Sequence, residues 1–246
     1  CFSKIINILC EMINSKIFNR PRVVGSKCLD FDQCRYDGQM ISNSLIRYLK
    51  DYVDFEVVCP EVEIGMGTPR DPIRIEKNGD ETLLVQPKTG KEFSSQMSKF
   101  SKEFCLKINR VDGFILKHAS PSCGISSAKT YSSKSPAPIG KQSGFFASNV
   151  EKYFPLHPKE DEKRLNNVYI REHYLSSIFT LADFRSVSCI NGLYNFHAKH
   201  KYLLMSYNQN LMREMGNTAA NRNGDNLNEV MEKYSNQLLK IFTRKP

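Results

Sequence analysis

Between Arg22 and Phe154 short apolar runs alternate with stretches of helical period, the pattern of a βαβ-rich domain. Arg22 to Ser26 reads as a strand. Ile41, Leu45, Ile46 and Leu49 recur at i, i+4, i+5 and i+8, which predicts a helix over 41–49. Phe55 to Val58 predicts a second strand, ending at Cys59-Pro60. Residues 73–85 suggest a hairpin turning at Asn78-Gly79. A helix over 91–108, a third strand at Gly113 to Leu116 and a helix over 143–153 complete the pattern.

Two prolines and a charge cluster follow, from Pro155 to Lys163, and read as a domain boundary. Beyond it the apolar positions keep a helical period over 174–184, 192–206 and 227–242. Asn217 to Asn226, rich in Asn and Gly, reads as a loop between helices.

Charge and composition narrow this picture. The 246 residues carry a formal net charge of +9, which permits polyanionic partners such as RNA, since Lys and Arg gain affinity by releasing counterions from phosphates. The basic residues form no concentrated tail. No apolar run approaches the ~20 residues of a membrane span. Ile5 to Cys10 is apolar, but it is too short for a signal peptide, and Glu11 follows it. A frayed extension over residues 1–20 is expected instead. Eight cysteines without a dense, regular framework point to a reducing cytoplasm rather than to a disulfide scaffold.

Three of those cysteines share one placement. Cys28, Cys59 and Cys123 each lie at or just beyond the end of a predicted strand. In an open parallel sheet the carboxyl ends of the strands converge on one edge, where ligands bind. Thiolates scattered along the chain would meet there. Soft sulfur selects zinc, Cu(I) or an iron–sulfur cluster, and no Cys-x₂-Cys pair typical of structural zinc is present. Against this stands the ordinary use of cysteine as a small buried hydrophobe, the reading preferred for Cys1, Cys10, Cys105 and Cys189. Cys34 sits close enough to Cys28 in sequence to reach the same site.

These residues carry a resemblance. Ser26-Lys27-Cys28-Leu29, Arg35-Tyr36-Asp37-Gly38, Cys59-Pro60-Glu61 with Gly65 and Pro69-Arg70, and Ser120-Pro121-Ser122-Cys123-Gly124 occur in this order. They resemble the signature of the thiouracil desulfidase (TudS) family over residues 21–155. Arg171-Glu172-His173-Tyr174 and Phe196 to Met205 resemble the helical domain fused to desulfidases that act on 4-thiouridine in tRNA. That domain is normally longer, so residues 156–246 are expected to be a truncated copy. The resemblance implies an α/β fold, a three-layer parallel-sheet catalytic domain followed by a partial all-α domain. It also implies a [4Fe–4S] cluster on Cys28, Cys59 and Cys123 with one iron open to the substrate's sulfur. Glu61 would be the acid/base carboxylate and Ser120 the serine that contacts substrate. The implied substrate is a thiolated pyrimidine, first of all 4-thiouridine in tRNA or as the nucleoside, with free 2-thiouracil as the alternative. The implied partner is tRNA through the basic helical domain.

Plainer roles stand beside these. Glu61 is open to simple pairing with an arginine, and Ser120 and Ser122 to capping their loop. Arg35 and Asp37 read as a buried pair ordering the first loop. Arg70 and Arg74 read as phosphate binders or surface ion pairs, and His118 as a loop histidine. His197, Lys199, His200 and Lys201 cluster within about one and a half helical turns, either as a face for RNA phosphates or as a solvated face. A different class of function also fits: an RNA-binding or regulatory module whose structural metal takes Cys34 as a fourth ligand.

Overall fold

The computed structural model describes residues 18–79, 81–133 and 135–243. Apart from Phe18, Asn19 and Arg20, the N-terminal extension, with Cys1 and Cys10, lies outside the described residues. Contacts divide the chain into an α/β unit, Arg22–Tyr174, and a helical unit comprising Leu175–Pro246 with the residues up to Pro21.

The α/β unit opens with β1 (Arg22–Ser26), α1 (Ser44–Leu49), β2 (Asp54–Val58) and the short α2 (Pro60–Glu63). Next come β3 (Arg74–Asn78), β4 (Glu81–Gln86), β5 (Lys91–Glu92), α3 (Ser94–Lys107) and β6 (Gly113–Leu116). It ends with β7 (Ala128–Ser132), β8 (Pro138–Gln142), α4 (Phe145–Tyr153) and β9 (Lys159–Asp161). Two sheets result. One is parallel throughout, in the order β2-β1-β6-β9. The other, β5-β4-β3-β7-β8, is antiparallel except where β3 lies parallel to β7.

The parallel sheet explains its own sequence. All four residues of β6 are buried, as expected of a strand covered on both faces, so the run Gly-Phe-Ile-Leu has no polar alternation. Val24, Val58, Phe114 and Leu116 pack against Phe146, Ala147 and Val150 of α4 and Cys105 of α3. Cys105 is thus the core hydrophobe expected of it.

Several sequence expectations shift. The segment read as a linker supplies β9, whose Lys159, Glu160 and Asp161 pair with Phe114, Ile115 and Leu116. The hairpin of β3 and β4 turns one residue later than expected, because Asn78 pairs with Glu81. The first helix begins at Ser44 rather than Ile41, since Asn43 caps it by accepting from the Ile46 amide at 3.0 Å.

In the helical unit, α5 (Val168–Phe184) crosses the division and is followed by α6 (Ile190–Tyr207), α7 (Gln209–Ala220) and α8 (Leu227–Ile241). The loop expected over 217–226 is helical as far as Ala220. Phe184, Phe196 and Tyr234 form an aromatic cluster in its core. Cys189 is exposed and caps α6, its sulfur accepting from the Gly192 amide. It is not the buried hydrophobe expected. No helix among the described residues is long and apolar enough to cross a membrane.

One ionic tie fixes the loop after β1. Asp30, 6 % exposed and at φ 63°, accepts from Arg47 at 2.6 Å and from the Asn43 amide at 3.3 Å, and pairs with Lys50. Burial alone would raise its carboxyl, but Arg47, Lys50 and the Asn43 amide outweigh burial and hold it below the ordinary range. A depressed carboxylate stabilises the fold above its unfolded value and loses that contribution as pH falls through the folded value. Asp30→Asn is therefore expected to cost about 1–3 kcal/mol at neutral pH. Urea melts taken between pH 6 and pH 3 should show a smaller acid loss in the variant than in the parent.

Candidate active site

The carboxyl ends of β2, β1 and β6 open into a cavity of about 320 Å³ whose wall includes Cys28, Cys34, Cys59, Glu61, Ser120 and Cys123. All five site residues expected from sequence therefore share one cavity. Arg70, Ser26, Lys117 and His118 line it too.

Each cysteine is positioned by a different local device. Cys28 follows β1 in a tight bend, with the Leu29 amide donating to Ser26 O at 2.9 Å and the Ile41 amide to Cys28 O at 2.8 Å. Cys59 is the residue before Pro60, which opens α2, and its carbonyl accepts from the Val62 and Glu63 amides at 3.0 Å each. Proline suits that first helical position, since it lacks the N–H that would go unpaired there.

Cys123 sits in a loop gripped by the start of α4. The Phe145 and Ala147 amides, which have no partner within their own helix, donate to Pro121 O and Ser122 O at 3.1 and 3.0 Å. The Ser120 hydroxyl oxygen accepts from the Ser122 and Cys123 amides at 3.2 and 3.0 Å. Ser120 thus caps this loop whatever else it does. The Ser122 hydroxyl is buried and has no partner among the described residues.

Glu61 lies beside Cys59, whose thiol donates to its Oε2 at 3.4 Å. Arg70 closes this side. It donates to Cys34 O at 3.0 Å and Gly67 O at 2.9 Å, and its Nη2 lies 3.8 Å from Glu61 Oε2 and 4.0 Å from Cys59 Sγ. Its side chain is 7 % exposed, so its pairing with Glu61 is not a surface ion pair. Arg74, by contrast, pairs with Glu76 at 2.7 Å and covers the Tyr131 ring. Arg35 and Asp37 do pair, at 3.5 Å, but both are 28 % exposed, so the pair is not buried.

The electrostatics of the thiols follow from this crowding. Contact with Cys34, then burial and the Glu61 carboxylate, push the Cys59 thiol far above its usual range. Burial, then Glu61, does the same to Cys123. Cys34, 4 % exposed, is pushed up to about 11, chiefly by its contact with Cys28. Buried sulfurs of this kind stay protonated until a cationic centre displaces their protons. Among the described residues no three His, Cys, Asp or Glu side chains close on one point as the ligands of a single ion do. The donor set is soft and thiol-dominated, which suits an iron–sulfur centre.

Sequence reasoning missed Ser26, whose hydroxyl accepts from the Lys117 amide at 2.9 Å and hydrogen-bonds toward Cys123. Its place as the last residue of β1 was the available signal. The histidines of the helical unit also find plain partners. His197 is buried with Nδ1 3.0 Å from the Tyr234 hydroxyl. His200 and Lys199 both reach Asp183, at 2.7 and 2.8 Å. The two histidines thus face Tyr234 and Asp183 within their own unit, while Lys199, 65 % exposed in its pair with Asp183, and Lys201 lie at the surface.

The grip of α4 on the Cys123 loop requires glycine at position 144, where an added Cβ would lie 2.4 Å from Ser122 O. Gly144→Ala is expected to cost about 1–3 kcal/mol through overpacking, read as a lowered melting temperature. Cys123 should then react faster with a thiol-specific reagent in the variant.

Comparison with known proteins agrees with this site. Residues 23–162 match the family described as 2-thiouracil desulfurase. Residues 201–246 match a family described only as a protein of unknown function, DUF1722. An uncharacterized protein of Bacillus subtilis (strain 168), YbbK, is 30 % identical over 110 residues, which cover 42 % of this chain and 72 % of the relative. A solved structure described as the [4Fe–4S]-dependent thiouracil desulfidase TudS aligns with 24 % identity over 60 % of this chain and 94 % of its own, with a TM-score of 0.47. The family match spans more than half of the chain and contains every cysteine of the cavity: the chain belongs to the 2-thiouracil desulfurase family.

Proposed function

We propose that this protein is a non-redox desulfidase that converts a free thiolated pyrimidine to its carbonyl form plus hydrosulfide, using a [4Fe–4S] cluster held by Cys28, Cys59 and Cys123. The observation that carries the reading is the shared cavity of three thiols, a carboxylate and a loop serine at the parallel-sheet edge. When bound, the cluster supplies a Lewis-acidic iron that draws electron density from the thiocarbonyl sulfur.

The chain's own residues do the rest. Glu61, clamped by Arg70, is placed to take a proton from the water that attacks the ring carbon. The Ser120 oxygen already accepts two amide bonds, which leaves its hydroxyl proton to donate toward a ring carbonyl. The largely apolar walls, including Val58, Pro72 and Ile73, limit the water that competes for these groups. An oxygen-labile centre of this kind belongs in a reducing cytoplasm. Free 2-thiouracil and the nucleoside 4-thiouridine are the two substrates in view. The family match, described as 2-thiouracil desulfurase, supports a free substrate over a tRNA-borne one.

A second reading has one observation in its favour. Cys34 is buried against Cys28 and Cys59, so a closed site with four protein ligands would make the metal structural and the protein a regulatory or RNA-binding module.

Anaerobic purification with iron and sulfide analysis, followed by assay on both compounds, separates these readings. The desulfidase reading expects about four irons per chain and hydrosulfide release. Cys123→Ser should lose the iron, whereas Cys34→Ser should keep it; iron loss on replacing Cys34 would favour the closed site. Glu61→Gln should keep its iron and lower kcat by roughly 100-fold or more. Zinc in place of iron would sink the desulfidase reading.

A further inference from the structure

Besides Glu61, the cavity wall carries a second acid–base group. His118 follows β6, and its Nδ1 lies 2.9 Å from Oδ2 of Asp161 at the end of β9. Asp161 is 1 % exposed, and its other oxygen accepts from the Lys163 and Arg164 amides at 2.9 and 2.8 Å. The carboxylate therefore cannot swing away. Glu162 holds the neighbouring backbone, accepting from the His118 amide at 2.7 Å with one oxygen and from Lys117 Nζ at 2.7 Å with the other. His118 lines the cavity, and with Nδ1 held by Asp161 the ring nitrogen left to act there is Nε2. That nitrogen has no partner among the described residues.

The topology sets the spacing. Glu61 follows β2 and His118 follows β6, with β1 between them. Two strand spacings amount to roughly 10 Å between β2 and β6, and both groups line the one cavity at the ends of those strands. A buried carboxylate fixing the far nitrogen of a cavity-facing imidazole is the arrangement that orients a proton-transferring histidine.

Resting on the desulfidase reading above, we propose that His118, positioned by Asp161, is a catalytic residue that delivers the proton with which sulfur departs as hydrosulfide. Water adds to the thiocarbonyl carbon and gives one proton to Glu61. The carbon–sulfur bond breaks with its electron pair on sulfur, which takes a proton from Nε2 of the imidazolium form of His118, whose Nδ1–H stays on Asp161. The hydroxyl left on carbon releases its proton as the carbonyl forms, and that proton replenishes His118 through solvent. Glu61 returns its own proton to solvent, and the sulfur leaves as HS⁻. Water and thiocarbonyl become carbonyl and hydrogen sulfide species with no change of oxidation state.

Two measurements test this. Diethyl pyrocarbonate treatment of the purified chain, mapped by mass spectrometry, should modify His118, and uracil should slow that modification. An unreactive His118, or one indifferent to uracil, overturns the proposal whether or not the enzyme turns over. In the anaerobic enzyme, His118→Gln should keep the iron content and melting temperature of the parent. Its kcat on 2-thiouracil or 4-thiouridine should fall roughly 100-fold, with little change in KM. Added imidazole should restore His118→Ala, and Asp161→Asn should lower kcat in the same direction. Parent turnover with an unimpaired His118→Gln, or iron lost from both His118 variants, removes the catalytic role alone. A parent that releases no hydrosulfide removes the desulfidase reading and this role together.

Discussion

The parallel pairing of β1 with β2 on one side and β6 on the other is the constraint on which the site depends. Ser26 stands opposite Val58, and Gly25 stands opposite both Val57 and Ile115. Because all three strands run the same way, the residues that follow them leave the sheet at one edge. Cys28, Cys59 and the loop to Cys123 are therefore neighbours by topology before any side-chain contact is made. A register slip would exchange the side chains packed on the two covered faces of β1 and β6. Burial of Val24, Val58, Phe114 and Leu116 in one cluster holds the register and so holds the cavity.

That edge collects groups which resist burial. Three buried thiols and the Glu61 carboxylate crowd one another, and Arg70 is the cation placed among them. Each thiol that titrates against this crowd is pushed up, by contact or by burial. A centre of positive charge reverses that balance, since it favours the thiolate where burial and the neighbouring carboxylate favour the thiol. On the other flank, Asp161 and Glu162 bring two further carboxylates to the edge, but each is matched by a cation or by backbone amides.

How much of this was legible depended on how local the cause was. The three strands and the helix before β2 were readable because apolar runs and periods sit in contiguous residues. The cysteine placement followed from those strands, and the motif order carried the family. The second sheet was readable only at its β3–β4 hairpin: β8 is exposed along most of its length, and β7 alternates too little in sequence to announce a strand. β9 misled for a physical reason. Its Lys159, Glu160 and Asp161 look like a solvated linker, but the partners that satisfy Asp161 and Glu162 include His118 and Lys117, more than forty residues away. The histidines of α6 misled similarly, because Asp183 and Tyr234 come from other helices.

The same locality argument separates the two walls of the cavity. The Cys123 loop is held by backbone amides of α4 and by the Ser120 cap, bonds that no change of charge disturbs. The Cys28–Cys34 segment has backbone bonds too, among them the Ile41 amide to Cys28 O at 2.8 Å and the Asp30 amide to Ile41 O at 2.9 Å. It adds the ionic tie of Asp30 to Arg47 and Lys50 and the half-exposed Arg35–Asp37 pair. An exposed pair contributes about 1 kcal/mol or less, so most of the ionic part of that hold rests on the single buried carboxylate of Asp30. The site thus has one wall fixed by hydrogen-bond geometry alone and another that depends on charge as well. Any motion that admits substrate, or loosens a bound cluster, is expected on the second wall, where Cys28 and Cys34 lie.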